Sequence, residues 1–208
     1  MVLAYHVIVG AYGFWLPNDP RGSWSRFVGS SDLFRAGGSA TFTPTTKSVA
    51  AVAHDWALRA KTKEALKYPA VRFTGIQARA VGNGFAEYVA KSGLQVWACA
   101  ILPDHLHMVV GRFRTSIEQV VIQLKGAATE RLVADGIHPL GHIKLPNGRH
   151  PKCFSRGECS PFLDTVEDIF RAIVYVEENP EKAGLPKQKW SFVTQFDPSF
   201  ADAVPQAP

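Results

Sequence analysis

The chain is poor in cysteine and methionine and has no long apolar run, and each shortage excludes something. Cys99, Cys153 and Cys159 are its three cysteines, and no two of them form a Cys-x-x-Cys pair. Neither a disulfide framework nor a zinc knuckle is indicated, so a reducing cytoplasm is the expected compartment. No segment approaches the ~18 consecutive apolar residues of a membrane span. The apolar start, "MVLAYHVIVGAYGFW", lacks the basic leader and cleavage site of an export signal. A soluble, unexported protein with no membrane partner is expected. The helical His-Glu-x-x-His signature and the zinc deaminase cysteine pair are also missing, which argues against a hydrolase that activates water on a metal. Acidic residues are the minority charge: 18 Asp and Glu against 23 Lys and Arg leave a net charge of +5. That balance suits a polyanionic partner such as nucleic acid.

What is present is ordinary globular material, with 46% hydrophobic and 20% charged residues over 208 positions. No repeat or hinge-like linker divides it, so a single domain over 1–208 is expected. "LAYHVIVGAY" is β-branched and aromatic and reads as a first strand. From about 15 to 46 the chain is dense in Gly, Pro, Ser and Asn and reads as a long loop insertion, a length that calls for a function or for disorder. "SVAAVAHDWALRAKTKEAL" predicts a helix capped by Ser48, and "TGIQARAVGNGFAEYVAKSG" a second, capped by Thr74 and stopped by Gly93, with Gly82 and Gly84 weakening its middle. "LQVWACAIL", the turn "PD" and "HLHMVVGR" predict an antiparallel hairpin. "SIEQVVIQLKGAATERLVADG" places Ile117, Val120, Val121, Leu124, Ala128 and Leu132 at helical spacing. "HPKCFSRGECSPFL" reads as a further strand, and "TVEDIFRAIVYVEENP" as a helix opened by Thr165 and closed before Pro180. A short irregular tail at about 193–208 completes the chain. This order predicts an α+β fold: an antiparallel ferredoxin-like (split βαβ) sheet with helices on one face.

Two spacings carry chemistry. In "ILPDHLHMVV" the histidines are two apart on a strand, so His105 and His107 share one face while Leu106, Met108 and Val110 face the core. A half-solvated sheet accounts for one such histidine, but two in register make a metal site competitive, because imidazole is the commonest metal ligand. In "YVEEN" Tyr175 and Asn179 lie one helical turn apart. A helical tyrosine ordinarily packs its ring and bonds its hydroxyl. Beside two histidines, an amide oxygen could complete a mixed nitrogen and oxygen metal shell while the phenol faces an open coordination position.

"ILPDHLHMVV" resembles the His-hydrophobic-His motif of the HUH single-strand endonucleases, and "AIVYVEENPEKAGL" resembles the tyrosine helix of their single-tyrosine transposases, most closely the REP-associated tyrosine transposases. "YHVIVGAYGFWLPNDPRGSW" is similar to that group's N-terminal segment, so the resemblance runs from about Ala4 to about Phe192. It implies a ferredoxin-like fold, a divalent metal (Mg2+ or Mn2+), and cleavage and rejoining of single-stranded DNA beside hairpins such as REP-like palindromes. Carried over, His105 and His107 are metal ligands, Tyr175 is the nucleophile and Asn179 is the third ligand, where relatives often have glutamine. Glu177 and Glu178 are alternatives, pointing away from the face of Tyr175. Relatives also carry more tryptophan where Cys153 and Cys159 stand. By the same analogy the protein acts as a monomer rather than a dimer.

The chemistry is consistent with those assignments. A phenol with its usual pKa of about 10 attacks poorly unless its target is activated, and a cation on a phosphate oxygen supplies that activation. For DNA binding, Phe14, Trp15, Trp24 and Phe27 can stack unpaired bases while Arg21 and Arg26 contact phosphates. Lys125, Arg131, Arg149, Lys152 and Arg156 can extend a basic groove, although solvated surface charge is the simpler account of any one of them. The alternative is a non-catalytic single-stranded nucleic-acid-binding domain of the same fold, which has no use for a histidine pair facing a phenol.

Overall fold

The computed structural model describes residues 1–19, 28–41, 53 and 55–200. Its elements are β1 (Ala4–Gly10), α1 (Ser31–Gly37), α2 (Trp56–Glu64), α3 (Gly75–Ser92), β2 (Val96–Ile101), β3 (His105–Gly111), α4 (Ile117–Ala134), β4 (Phe162–Leu163) and α5 (Val166–Lys182). The four strands form one antiparallel sheet in the order β2-β3-β1-β4. Two β-α-β units, β1-α3-β2 and β3-α4-β4, interleave to make that order, which is the expected split βαβ arrangement of an α+β, ferredoxin-like fold.

Local signals account for the two long helices that back the sheet. Thr74 Oγ1 accepts from Gln77 N, and Gln77 Oε1 accepts from Thr74 N at 2.9 Å, a complete capping box at the start of α3. Gly93 closes it at φ 73°, a left-handed conformation that suits glycine. The two glycines that should weaken α3 have packing reasons. A Cβ on Gly84 would lie 2.6 Å from the carbonyl oxygen of Ala127 in α4, and one on Gly82 would enter the ring of Trp190. The missing side chain at Gly84 lets α3 and α4 approach closely, and the one at Gly82 makes room for Trp190. On α4 the six apolar positions singled out by their spacing are all buried.

Strand alternation then sorts the two faces. Val7, Val9, Leu106, Met108 and Val110 belong to the core beneath α3 and α4. Ala4, Ala98, Ala100 and Val109 belong to a second core on the opposite face, where Ile169, Ala172 and Val176 of α5 cover them. The expectation of helices on one face is corrected here: α5 lies across the other. The physical reason is that β2 is apolar on both sides, every residue of "VWACAI" being buried, and Ala4 and Val109 extend its second apolar face onto β1 and β3. A sheet with two apolar faces needs two covers. α5 packs mainly on β2, β3 and the β4 end, and His6, Ile8 and His105 on this face are only partly buried.

Other boundaries differ from expectation. Pro180 does not end α5: the helix runs to Lys182, with the ring buried and Ala183 N donating to Asn179 O at 3.0 Å. Proline lacks only its own N–H, so one bond is lost in the last turn while its carbonyl still accepts from Leu185 N at 2.8 Å. The segment at about 15–46 expected to be a long loop insertion contains α1, capped by Ser30. The cap expected at Ser48 lies outside the described residues, and α2 is instead opened by Asp55, whose carboxylate accepts from Leu58 N at 2.9 Å. The strand expected in "HPKCFSRGECSPFL" is broken into bridges Ala11↔Phe154 and Ile8↔Cys159 and the two-residue β4. Near the end of the described residues Phe196 packs beside Trp97.

Candidate functional site

The site forms where β1 and β3 run side by side and α5 crosses them. Register pairs Ile8 with His107 and His6 with Val109, so His6 and His107 are diagonal neighbours on one face. Nε2 of His6 lies 3.0 Å from Nδ1 of His107, a hydrogen bond between the two rings. His105 stands next along the same face, its ring centroid 4.9 Å from that of His107. The expected shared face of His105 and His107 is therefore present. His107, however, is only 5% exposed, a buried residue rather than a solvent-side ligand.

His105 is held from two sides. Its Nδ1 is 2.8 Å from Oδ1 of Asp104, and its ring stacks on Phe14 with centroids 4.5 Å apart and planes at 16°. Burial pushes the Asp104 carboxyl up, but the hydrogen bond and attraction from His105, with the charges of Arg72 and Lys63, outweigh it and hold the group below the usual carboxylate range. An ionised Asp104 on Nδ1 keeps the proton there and leaves Nε2 as the lone-pair nitrogen. Phe14 is itself fixed by Arg59 of α2, whose guanidinium donates to Phe14 O at 2.8 Å and to the buried Asp19 at 2.7 Å. The ring of Phe14 is buried, so it supports His105 instead of stacking bases.

Tyr175 projects from α5 onto this cluster. Its ring centroid is 5.6 Å from that of His107 and 5.5 Å from that of His6, both edge-on, while the residue remains 43% exposed. Lys182 Nζ lies 5.5 Å from the centroid of the same ring and pairs with Glu178. The amide nitrogen of Asn179 donates to the carbonyl of Tyr175 at 3.1 Å, leaving Oδ1 as the atom suited to a cation. Sequence reasoning missed His6. Burial lowers its pKa to about 4, so it is a neutral imidazole at neutral pH. Its only sequence signal is a polar residue on the apolar strand "AYHVIVG".

The donor set suits a divalent cation in part. His105 and His107 are neighbouring imidazoles on a rigid strand, and Asp104 orients the first of them. His6 is not a third ligand in this arrangement, because its Nε2 is engaged with His107. Among the described residues no group of three or more His, Cys, Asp or Glu side chains is arranged to hold a metal ion. Further ligands must then come from an amide, from solvent or from substrate.

The remaining expected DNA contacts are distributed unevenly. Trp15 is half-buried and edge-on to Phe14, centroids 5.0 Å apart, so the start of the 15–46 segment adjoins His105. Arg21, Trp24, Arg26 and Phe27 lie outside the described residues. Lys125 is engaged internally: its ammonium donates to Ser155 O and Gly157 O and pairs with Glu158 at 3.6 Å. Arg131 pairs with Glu87 and Asp135, whereas Arg149, Lys152 and Arg156 are exposed.

No family model matches the chain, and no curated protein matches it. A solved structure described as the REP-associated tyrosine transposase bound to a REP hairpin aligns with 90% of this chain and 73% of its own, at 12% identity and a TM-score of 0.45. No helix among the described residues is long and apolar enough to cross a membrane.

Proposed function

We propose that this chain is a metal-dependent single-stranded DNA endonuclease and strand transferase that acts beside DNA hairpins through Tyr175. The observation that carries the reading is the meeting of Tyr175 with the histidine pair: a phenol from α5 stands 5.6 Å, ring to ring, from His107. A plain nucleic-acid binder has no need of that convergence. The His-hydrophobic-His and tyrosine-helix motifs support the same reading.

His105 and His107 would hold the divalent cation, Mg2+ or Mn2+, with the carbonyl oxygen of Asn179 as a further donor. When bound, the cation supplies charge neutralisation at a non-bridging phosphate oxygen. Tyr175 does the bond-making. Its Oη forms a bond to phosphorus as the P–O3′ bond breaks; the phenolic proton is lost, and the departing 3′ oxygen takes up a proton to become a hydroxyl. The 5′ phosphate stays joined to the tyrosine in a phosphodiester. Because that bond type is retained, attack by a 3′ hydroxyl reverses the step without ATP. The partly exposed phenol and the incompletely covered sheet beside it give a single strand access. Trp15 and the exposed Arg156 are the described candidates for base stacking and phosphate contact, together with Arg21, Trp24 and Arg26 of the adjoining segment.

The test is to incubate purified protein with end-labelled single-stranded DNA carrying a hairpin, with Mn2+ or with EDTA. A metal-dependent nick and a denaturation-stable protein–DNA adduct support the proposal. Binding with neither favours a non-catalytic single-strand binder.

A further inference from the structure

We infer that His6 is a positioning residue for His107: its Nε2 accepts the Nδ1 proton of His107 and so fixes the tautomer in which Nε2 of His107 carries the lone pair. The inference rests on the proposed metal site and adds a residue to its supporting structure. The 3.0 Å contact between the two ring nitrogens holds a single proton, and its position decides what each ring can do. With the proton on His6, His107 accepts at Nδ1, carries its own hydrogen on Nε2 and cannot ligate there. With the proton on His107, Nε2 is the ligating nitrogen and His6 keeps its hydrogen on Nδ1. Ligation and the direction of this bond are therefore coupled, and each favours the other.

The geometry suits a fixed orienting contact. Both residues sit on paired strands, where the register that sets Ile8 opposite His107 also sets the diagonal approach of His6. The third wall is the ring of Tyr175, edge-on to both imidazoles. His6 thus stands to Nδ1 of His107 as Asp104 stands to Nδ1 of His105.

The experiment uses the full chain with 15N-labelled histidine. Long-range 1H–15N correlation at neutral pH reads the tautomer of His107 without any variant, and Mn2+ titration reads affinity in wild type, His6→Phe and His6→Gln. The expected results are the Nδ1–H tautomer for His107 in wild type, an affinity about ten- to a hundredfold weaker in His6→Phe, and recovery to within a few fold in His6→Gln, whose amide oxygen can accept the same proton. Far-UV circular dichroism confirms that each variant is folded. An Nε2–H tautomer for His107 in wild type, or wild-type Mn2+ affinity in folded His6→Phe, overturns the role of His6 while leaving the metal site standing. Failure of wild type itself to bind Mn2+ overturns the metal site, and the inference with it.

Discussion

The ring of Tyr175 stands edge-on to that of His107, with planes at 78° and centroids 5.6 Å apart. Sixty-eight positions apart in sequence, the two residues come together because the apolar stripe of α5 (Ile169, Ala172, Val176) covers the second face of the sheet. Tyr175 lies at the edge of that buried stripe and so overhangs the histidines. Packing and chemistry share one helix, and the predictions below separate them.

His105→Ala should weaken Mn2+ binding by at least tenfold and remove metal-dependent cleavage with little loss of stability, since His105 is partly exposed and contributes its ring mainly to Phe14. His107→Ala should remove the same activity but also destabilise the fold, because it opens a cavity and strips His6 of its partner. Metal titration and urea denaturation on both variants check the contrast. Equal metal affinity in His105→Ala and wild type would place the site elsewhere.

Trp15→Ala should weaken binding of single-stranded DNA about five- to a hundredfold, the range expected when one ring stacks a base at about 1–3 kcal/mol. Fluorescence anisotropy with a labelled oligonucleotide measures it. Unchanged affinity would mean that Trp15 serves packing and not base stacking.

Gly84→Ala should destabilise the fold by about 1–3 kcal/mol, although alanine is the better helix former by about 1 kcal/mol. The added Cβ would lie 2.6 Å from the backbone oxygen of Ala127, which cannot move without separating α3 from α4. An unchanged urea midpoint would show that the two helices part freely.

Much of this was legible in the sequence because the signals were local. The capping residue Thr74, the stop at Gly93, the six-residue stripe of α4 and the hairpin around Pro103 and Asp104 each depend on neighbours a few positions away. The shared face of His105 and His107 follows from strand alternation alone. What was hidden depends on partners distant in the chain. His6 reads as one polar interruption in an apolar strand until β1 and β3 are set in register. The second apolar face was visible in "VWACAI" only as an unbroken apolar run, and nothing local says that α5 covers it. Gly82 and Gly84 read as helix weaknesses because Trp190 and Ala127 are remote in sequence.

His138 should make stability depend on pH. Burial lowers its pKa to about 4, assisted by the charges of His150, stacked 5.0 Å away, and Lys144. Above pH 6.5 folded and unfolded forms are both neutral. As pH falls from 6.5 toward 4, the unfolded chain takes up a proton that the folded chain refuses, so stability is lost across that window. His138→Asn keeps an acceptor for Leu140 N and cannot titrate. Urea denaturation between pH 7 and 4.5 should show a shallower loss for the variant; parallel curves would exclude His138 as a contributor.

The account stands most directly on which of the five tyrosines carries the DNA. The measurement is peptide mapping by mass spectrometry of the adduct formed with single-stranded hairpin DNA and Mn2+, alongside Tyr175→Phe. The account predicts a 5′-phosphotyrosyl peptide containing Tyr175. Tyr175→Phe should form no adduct and no strand-transfer product, yet bind DNA and Mn2+ as wild type does. An adduct on Tyr5, Tyr12, Tyr68 or Tyr88, or cleavage at the wild-type rate by Tyr175→Phe, would contradict it.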